Sequence, residues 1–233
     1  MEKKLFGNIC FTRLVKALML SYFLTMLMLL GLSFGLYKFD LSEKTVRIGI
    51  LAVYIISTFA GGFAMVFKWA TGNCMGRMYP AQHKKFMALP VQDKLNVFAD
   101  ILDFFEYIAS QDYVAIDFYD GSIMYDFANG KTTICDIDLF RKQPCINDMG
   151  RMWGSSRFQS PEEYQLGADI DEITNVYTLG ATAFALFGEY NRTREKWQLS
   201  DKLFEIATRA VSDDRANRQQ TIRQFTAEWE AAL

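Results

Sequence analysis

Two long stretches without a charged residue limit what this chain can fold into more than any other feature. The first covers residues 17–37 and the second covers residues 48–67. At about 1.5 Å of rise per residue, an uncharged helix of this length matches a hydrocarbon core of about 30 Å. The pattern predicts a transmembrane hairpin over residues 1–67. Two buried helices of a water-soluble protein are the alternative, whereas a second run argues against a cleaved signal peptide.

Positively charged residues flank both runs, and their distribution predicts an orientation. Three lie in the connector of residues 38–47, and four lie on each outer side: Lys3, Lys4, Arg13 and Lys16 before, and Lys68, Arg77, Lys84 and Lys85 after. Because cytoplasmic segments are richer in Lys and Arg, this pattern favours both ends in the cytoplasm. The sequence therefore predicts a multi-pass protein of the cell membrane, with lipid as a partner and a cytoplasmic soluble domain.

The composition excludes several classes of function. A net charge of −2 provides no basic surface for nucleic acid, and no nucleic-acid partner is predicted. With His83 as the only histidine, a His-based triad or a multi-histidine metal site is excluded by counting. The cysteines have no metal-type spacing and are interpreted as reduced thiols of a cytoplasmic protein: Cys10, Cys74, Cys135 and Cys145.

A hairpin with an aspartate at each mouth is the main candidate site. Residues 122–127 and 132–137 read as strands, and Asn129-Gly130 between them tolerates the positive φ of a tight turn. Asp117 precedes the first strand and Asp136 ends the second. Because a hairpin brings its two ends together, the two carboxylates should be neighbours. Such a pair suits phosphoryl transfer, with one carboxylate orienting a hydroxyl and one holding magnesium.

This stretch resembles the catalytic loop and the following magnesium-binding loop of protein kinases. Asp117 matches the catalytic Asp, and Asp136-Ile137-Asp138 stands where Asp-Phe-Gly belongs. The sequence departs from the family at Ser122, which takes the place of an Asn. It departs also at Ala115-Ile116, in place of His-Arg, and at Tyr119, in place of a Lys.

Later segments resemble the same family in the same order. Residues 91–110 form an amphipathic pattern like the helix that leads into the catalytic loop, and residues 139–159 fit an activation-type loop. Pro161-Glu162, residues 175–180 and Asp214 to Arg218 match further family motifs. The resemblance covers about residues 64–233 and implies a kinase-like C-terminal lobe over residues 68–233. It also implies that Glu162 pairs with Arg218, because a buried carboxylate without a partner is costly.

The resemblance implies a fold class and a function. The fold would be mainly α, a two-helix transmembrane hairpin followed by a helical lobe with a small β-hairpin. The function would be a membrane-anchored Ser/Thr kinase-like protein, with Asp117 catalytic and with Asp136 and Ser122 binding Mg²⁺ and ATP. The chain has no GxGxxG stretch and no small lobe, so activity would require a small lobe from elsewhere.

Two alternatives remain open. One is a catalytically inactive kinase-like binding module, with a protein partner at the exposed cleft face of the lobe. The other is a gene fusion near residues 62–69 without joint function. The first part of the chain also looks like the start of a small bacterial membrane-protein family of unknown function with four spans, from its Tyr-Lys-Phe connector and its Gly-Gly-Phe near residue 62.

Overall fold

The structure is a computed structural model that describes residues 71–233. Within them lie five α-helices, which we number in chain order: α1 (Pro80–Met87), α2 (Val91–Ser110), α3 (Glu172–Phe187), α4 (Asp201–Ala210) and α5 (Ile222–Glu230). Four short 3-10 helices also occur there: Asp120–Ser122, Pro161–Tyr164, Arg194–Lys196 and Arg215–Asn217. Residues 70–233 form a compact unit, so this part of the chain has a core of its own.

The predicted transmembrane hairpin has to be corrected. Across residues 71–233, no helix combines the length and the apolar character needed to cross a membrane. The longest, α2, has 20 residues but carries charged side chains such as Asp93, Asp100 and Asp103. The spans predicted at 17–37 and 48–67 lie outside the described residues. The described part of the chain therefore gives no support to the predicted transmembrane hairpin or to a multi-pass membrane localisation.

Seven short strands form three small antiparallel sheets in the described part of the chain: β1 (Asn73–Cys74), β2 (Tyr113–Val114), β3 (Ile123–Asp126), β4 (Lys131–Ile134), β5 (Arg141–Lys142), β6 (Cys145–Ile146) and β7 (Asp169–Ile170). The largest sheet has the order β1-β3-β4, and the other two are the pairs β2-β5 and β6-β7. The segment 139–159, predicted as a loop, contributes only the two-residue strands β5 and β6. The domain is therefore mainly α, and its β-structure lies mostly around the predicted hairpin.

The predicted hairpin is observed, with each strand shorter than expected. In β3–β4, Ile123 faces Ile134 and Asp126 faces Lys131. Gly130 has φ +62°, the left-handed conformation that this turn requires. The Asp126 carboxylate accepts bonds from the Asn129 side chain, the Thr71 hydroxyl and the Ala128 N–H, and these hold its pKa down at about 2. A short local turn thus fixes the register of the two strands.

Helix α2 has the bounds that its sequence period predicts. Pro90 precedes its first turn, and the stripe at three- and four-residue spacing is buried at Phe98, Leu102, Phe105 and Ile108. This agreement is expected because the pattern spans five turns without a break. The stripe makes α2 one wall of the core.

Helix α3 is the centre of the domain. It is buried from Thr174 to Phe187, and the Asp171 side chain caps its start by accepting a bond from the Ile173 N–H at 2.9 Å. Gly180 has no room for a side chain, because a Cβ there would lie 2.7 Å from the Cβ of Ala210 on α4. A helix buried all round in this way gives the surrounding loops a rigid support.

An aromatic cluster fills the space between α2, α3 and α5. The Phe98 ring lies 4.7 Å from that of Trp229 and 5.9 Å from that of Phe187, measured between ring centres. Trp197 and Phe225 complete the cluster, and all five side chains are buried. Burying each such ring stabilises the fold by about 1.5–3 kcal/mol, so this cluster is the main source of stability at that end of the domain.

Candidate active site

Asp117 lies in a loop that is held from the centre of the domain. The three residues before it, Val114, Ala115 and Ile116, are buried. The Asn175 side chain on α3 accepts a bond from the Ala115 N–H and donates one to the Ala115 carbonyl, each at 2.8 Å. The Asp117 backbone then turns sharply, with φ +62°. The loop that carries its half-buried carboxylate is therefore held in place by a buried helix.

Asp136 lies at the other mouth of the hairpin. The Cys135 N–H donates to the Ser122 carbonyl at 2.9 Å, which continues the strand pairing up to the residue before Asp136. Asp136 is exposed and, like Asp117, has φ +62°. Non-glycine residues with positive φ are uncommon, and such conformations are concentrated at functional sites. Two of them facing one hairpin mouth make this region unusual within the domain.

Asp136 lies close enough to Asp117 for its charge to act on the Asp117 carboxylate, as the hairpin interpretation requires. Burial raises the pKa of Asp117, and the charges of Asp136 and Asp138 raise it further. Burial also raises the pKa of Asp136, which is raised again by the charge of Asp138 and a hydrogen bond with it. Asp138 is thus a third member of the site that the sequence interpretation did not assign. The sequence feature that could have identified Asp138 is its position, two residues after Asp136.

Ser122 is placed differently from its predicted role. It is fully buried, and its hydroxyl donates to the Asp117 carbonyl at 3.5 Å and accepts from the Tyr119 N–H at 3.4 Å. The hydroxyl therefore supports the loop from inside. Its assignment as a ligand of magnesium or ATP stays a prediction, and this geometry gives it no support.

Tyr119 covers the loop between the two aspartates. Its ring packs so closely on Gly121 that a Cβ at that glycine would overlap the ring. Burial raises the pKa of the Tyr119 hydroxyl, as do the charges of Asp136 and Asp117. The tyrosine is therefore part of the same negatively charged surroundings and stays protonated there.

Magnesium suits the carboxylates that converge at this mouth. In residues 71–233, no group of three or more His, Cys, Asp or Glu side chains is arranged to hold a metal ion by itself. Magnesium is usually held by one or two carboxylates together with water and substrate phosphates, so it needs no such group. Asp136 provides an exposed carboxylate of this type, and the raised pKa values at the site show negative charge that a cation would neutralise.

The predicted pair of Glu162 and Arg218 is confirmed. The Arg218 guanidinium donates to both carboxylate oxygens of Glu162, at 2.7 and 3.0 Å, although 56 positions separate them. Arg215 also donates to Glu162 at 2.7 Å and makes two bonds of 2.8 Å to Asp171. Burial opposes the ionisation of Glu162, but the bonds and charge of Arg218 and the charge of Arg215 hold its pKa below the usual value. Arg215 is a partner that the sequence did not reveal.

A second polar cluster lies on the far side of the same loop. Asp120 is buried, and its carboxylate accepts a bond of 2.7 Å from the Tyr190 hydroxyl. Arg157 lies 3.5 Å from the same carboxylate. The sequence interpretation missed these residues because 37 and 70 positions separate Asp120 from its two partners, and no motif joins them.

Comparison with known proteins identifies one relationship, and it concerns the start of the chain. Residues 10–79 match a family described as "Protein of unknown function (DUF3792)". The match covers less than half of the chain, and it supports the coarser expectation that this part resembles a family of unknown function. None of the curated proteins matches the chain. No protein kinase family is found, so the kinase resemblance of residues 68–233 is not confirmed.

Proposed function

We propose that the domain seen in residues 71–233 takes part in phosphoryl transfer to a Ser or Thr hydroxyl of a protein, as a kinase-like C-terminal lobe. The observation that carries this proposal is the placement of Asp117 beside Asp136, both on left-handed backbone and both with a raised pKa. Strained acidic residues held on a rigid support are typical of catalytic sites. Enzymes of this kind rely mainly on positioning and charge, which is what such a support provides.

Asp117 is the residue proposed as the base. Its carboxylate is half-buried and belongs to a loop that Asn175 fixes from α3, so it can orient a hydroxyl and accept its proton. A pKa raised from the ordinary value favours proton acceptance by this carboxylate. Ser122 supports the same loop through its bond to the Asp117 carbonyl and acts as a positioning residue.

Asp136 is the residue proposed to hold magnesium, with Asp138 beside it. Asp136 is exposed at the end of the hairpin, where its carboxylate is open to a cation and to bound phosphate. Bound Mg²⁺ and ATP would supply the phosphoryl group and neutralise its charge. The remaining structure supports this arrangement indirectly, since the hairpin, the Asn175 bonds and the Glu162–Arg218 pair are all local supports of the kind such a lobe requires.

A working enzyme also needs a small lobe to cover the nucleotide. The sequence contains no GxGxxG stretch, and the proposed activity therefore requires a partner chain that provides the glycine-rich cover and the phosphate-binding Lys. Removal of electrostatic groups of this kind typically lowers the rate by a factor of about 10²–10³ each. We expect the isolated chain to bind Mg-ATP more readily than it transfers phosphate.

The test uses the full-length chain and its thermal unfolding with and without Mg-ATP. We expect Mg-ATP to raise the Tm, and Asp136→Asn to remove most of that rise. We further expect any transfer of the γ-phosphate to a Ser- or Thr-containing protein to be lost in Asp117→Asn. Asp112→Asn is a matched control, because Asp112 is exposed and also has a positive φ, +57°, but lies outside the site.

No change in Tm with Mg-ATP, or equal transfer by wild type and Asp117→Asn, would contradict the proposed function. Equal effects of Asp112→Asn and Asp136→Asn on the response to Mg-ATP would also contradict the assigned roles. The three variants are isosteric and remove one charge each, so a difference among them reports position and not simply net charge.

A catalytically inactive binding module is the second candidate. The observation that favours it is the surface beside the aspartates, where Ile137 is 50 % exposed between Asp136 and Asp138. Ser122, being buried, also leaves the magnesium set incomplete. This candidate predicts no response to Mg-ATP while a protein partner protects Ile137 from solvent. A fusion junction near residues 62–69 has no observation in its favour, because the family match continues through that segment to residue 79.

A further inference from the structure

The guanidinium groups of two arginines lie over the ring of one tyrosine, next to Asp120 of the loop that also carries the candidate base. The guanidinium carbon of Arg77 lies 5.1 Å from the centre of the Tyr190 ring, and that of Arg157 lies 5.3 Å from it. Arg77 is exposed, and the Arg157 side chain is 40 % exposed. These two residues, which we call the arginine pair, come from segments 80 positions apart. Only the fold brings them to one surface.

The charge of the arginine pair is only partly neutralised. Asp120 is the carboxylate that faces it, and its side chain is 7 % exposed and already accepts bonds from the Tyr190 hydroxyl and the Arg77 backbone N–H. A third guanidinium, that of Arg192, donates to the Arg157 carbonyl at 3.3 Å. Of these three guanidinium groups, that of Arg157 is the one within ion-pair distance of the Asp120 carboxylate, at 3.5 Å. The arginine pair therefore keeps positive charge exposed in a protein whose net charge is −2.

Stacking leaves the arginines free to bind an anion. A guanidinium that lies over an aromatic ring uses its face, whereas its five N–H donors point outward in the plane. Those donors match the two oxygens of a carboxylate or a phosphate. Stacking on Tyr190 also restricts the side chains in advance, so binding an anion would cost less conformational entropy than it would at free surface arginines.

The arginine pair is connected to the proposed site through the loop that contains both Asp117 and Asp120. Asp120, which Arg157 approaches, follows Asp117 by three residues in the same loop. Arg157 itself lies four residues before Pro161, in the segment that precedes the Glu162–Arg218 pair. A peptide with its hydroxyl at Asp117 would therefore have neighbouring residues within reach of the arginine pair.

We propose that Arg77 and Arg157 bind an acidic side chain of a peptide substrate, so that the site prefers Ser or Thr residues with a carboxylate or a phosphate nearby. This inference rests on the proposed function, because it assigns the substrate class of that site. Since the arginines are exposed, the interaction weakens as salt rises. An affinity that falls as salt rises therefore distinguishes this ionic interaction from binding by apolar contact.

The test measures binding of fluorescein-labelled peptides to the full-length chain by fluorescence anisotropy, without nucleotide. One peptide carries a Ser flanked by Glu residues, and the matched peptide has Gln in their place. We expect the Glu peptide to bind about fivefold more tightly at low salt, and this preference to disappear at high salt. Arg77→Gln should remove the preference without loss of fold, because the bond to Asp120 comes from its backbone N–H.

Two further variants complete the design. Arg157→Lys keeps the charge but loses the planar fork, and we expect it to weaken binding of the Glu peptide by about twofold to fivefold. Arg151→Gln is the control, because Arg151 is also exposed and lies over a tyrosine ring, that of Tyr164 at 6.0 Å, away from Tyr190. It should leave the preference unchanged, and thermal unfolding of each variant checks the fold.

Equal affinities for the Glu and Gln peptides, or equal loss in Arg77→Gln and Arg151→Gln, would overturn the inference. Inorganic phosphate that binds as tightly as the Glu peptide and displaces it would also overturn it, since the site would then take a free anion. Preferential binding of the Glu peptide by a chain whose Tm does not rise with Mg-ATP would sustain the arginine pair and refute the proposed function, so the two failures can be told apart.

Discussion

Two acidic clusters of this domain differ in how their charge is balanced. At Glu162, two arginines donate to a buried carboxylate, and its pKa is lowered in spite of its burial. At Asp117, burial and two neighbouring aspartates raise the pKa. Within residues 71–233, no Lys or Arg forms an ion pair with Asp117, Asp136 or Asp138. The negative charge of the first cluster is balanced within the protein, whereas a bound cation would reduce the repulsion between the carboxylates of the second.

This difference separates a structural use of carboxylates from a functional one. Pairing of Glu162 with Arg218 connects two distant segments and stabilises the lobe only as long as both partners are present. Repulsion at Asp117 costs stability, and it is tolerated because Asn175 and the hairpin hold the loop in place. Both clusters are formed by loops around α3, so the same helix supports a stabilising network and a destabilising one.

The largest effect on stability is expected at Glu162, whose charge is balanced by arginines. Arg218→Ala should lower the free energy of unfolding of the full-length chain by about 3–5 kcal/mol, because it leaves the Glu162 carboxylate buried and short of its main partner. Urea denaturation measures this change. Arg141→Ala is the control, since Arg141 pairs with Asp148 on the surface, and its effect should stay within about 0.5 kcal/mol. Similar losses in both variants would contradict the structural role of the buried pair.

The next effect concerns Glu163, the neighbour of Glu162. Burial raises its pKa to about 7, against the bonds that it accepts from the backbone and side chain of Ser160. Because the folded protein holds this proton and the unfolded chain releases it near pH 4.5, the stability that the proton contributes is complete below pH 4.5 and is lost as the pH rises to about 7. The loss amounts to about 3 kcal/mol over that window.

Glu163→Gln should remove this part of the pH dependence. Urea denaturation between pH 4 and 8 measures the difference between wild type and variant, which cancels the contribution of all other groups. Glu205→Gln is the control, because Glu205 is exposed on α4. Parallel pH curves for wild type and Glu163→Gln would show that Glu163 does not hold the proton.

A third prediction tests the bonds by which Asn175 holds the loop of Asp117. Asn175→Asp should cost about 1–3 kcal/mol of unfolding free energy, because a carboxylate keeps the bond from the Ala115 N–H but leaves the Ala115 carbonyl without its donor. It should also weaken the response to Mg-ATP. Asn191→Asp is the control, since the Asn191 side chain accepts from the Thr193 N–H, a bond that an aspartate keeps. Equal stability of the two variants would contradict the support role.

The smallest effect has the opposite sign. Asp136→Asn should stabilise the chain by about 0.5 kcal/mol at neutral pH, because it removes a like charge from an exposed, solvent-screened position and asparagine tolerates the positive φ. The pKa of Asp117, measured by NMR titration of its carboxyl carbon, should fall toward its ordinary value. A pKa of Asp117 that does not move would show that the two aspartates do not interact.

The sequence predicted those features that depend on local pattern. The bounds of α2 and the position of the β3–β4 turn agree with the structure because a continuous stripe and an Asn-Gly pair act over short distances. The meeting of Glu162 and Arg218 was also predicted, although from a family resemblance and not from local pattern. The strand ends were less well predicted, since β3 begins only after the 3-10 helix Asp120–Ser122 and β4 ends at Ile134, two residues before Asp136.

Features that depend on three-dimensional placement were not predicted. Ser122 was assigned as a ligand from its position in the motif, but the loop turns its hydroxyl inward. The transmembrane interpretation came from hydropathy over residues 17–67, which lie outside the described residues 71–233, where no helix could cross a membrane. Arg215 and the arginine pair were missed because their partners lie far away in sequence.

By itself the sequence determined the bounds of α2, where the hairpin turns and that two aspartates stand at its mouth. Only the tertiary structure decided which charged groups are balanced, because electrostatic energy depends on distance and burial and not on order in the chain. It placed two arginines on Glu162, gathered three aspartates at the hairpin mouth and left the arginine pair exposed beside them.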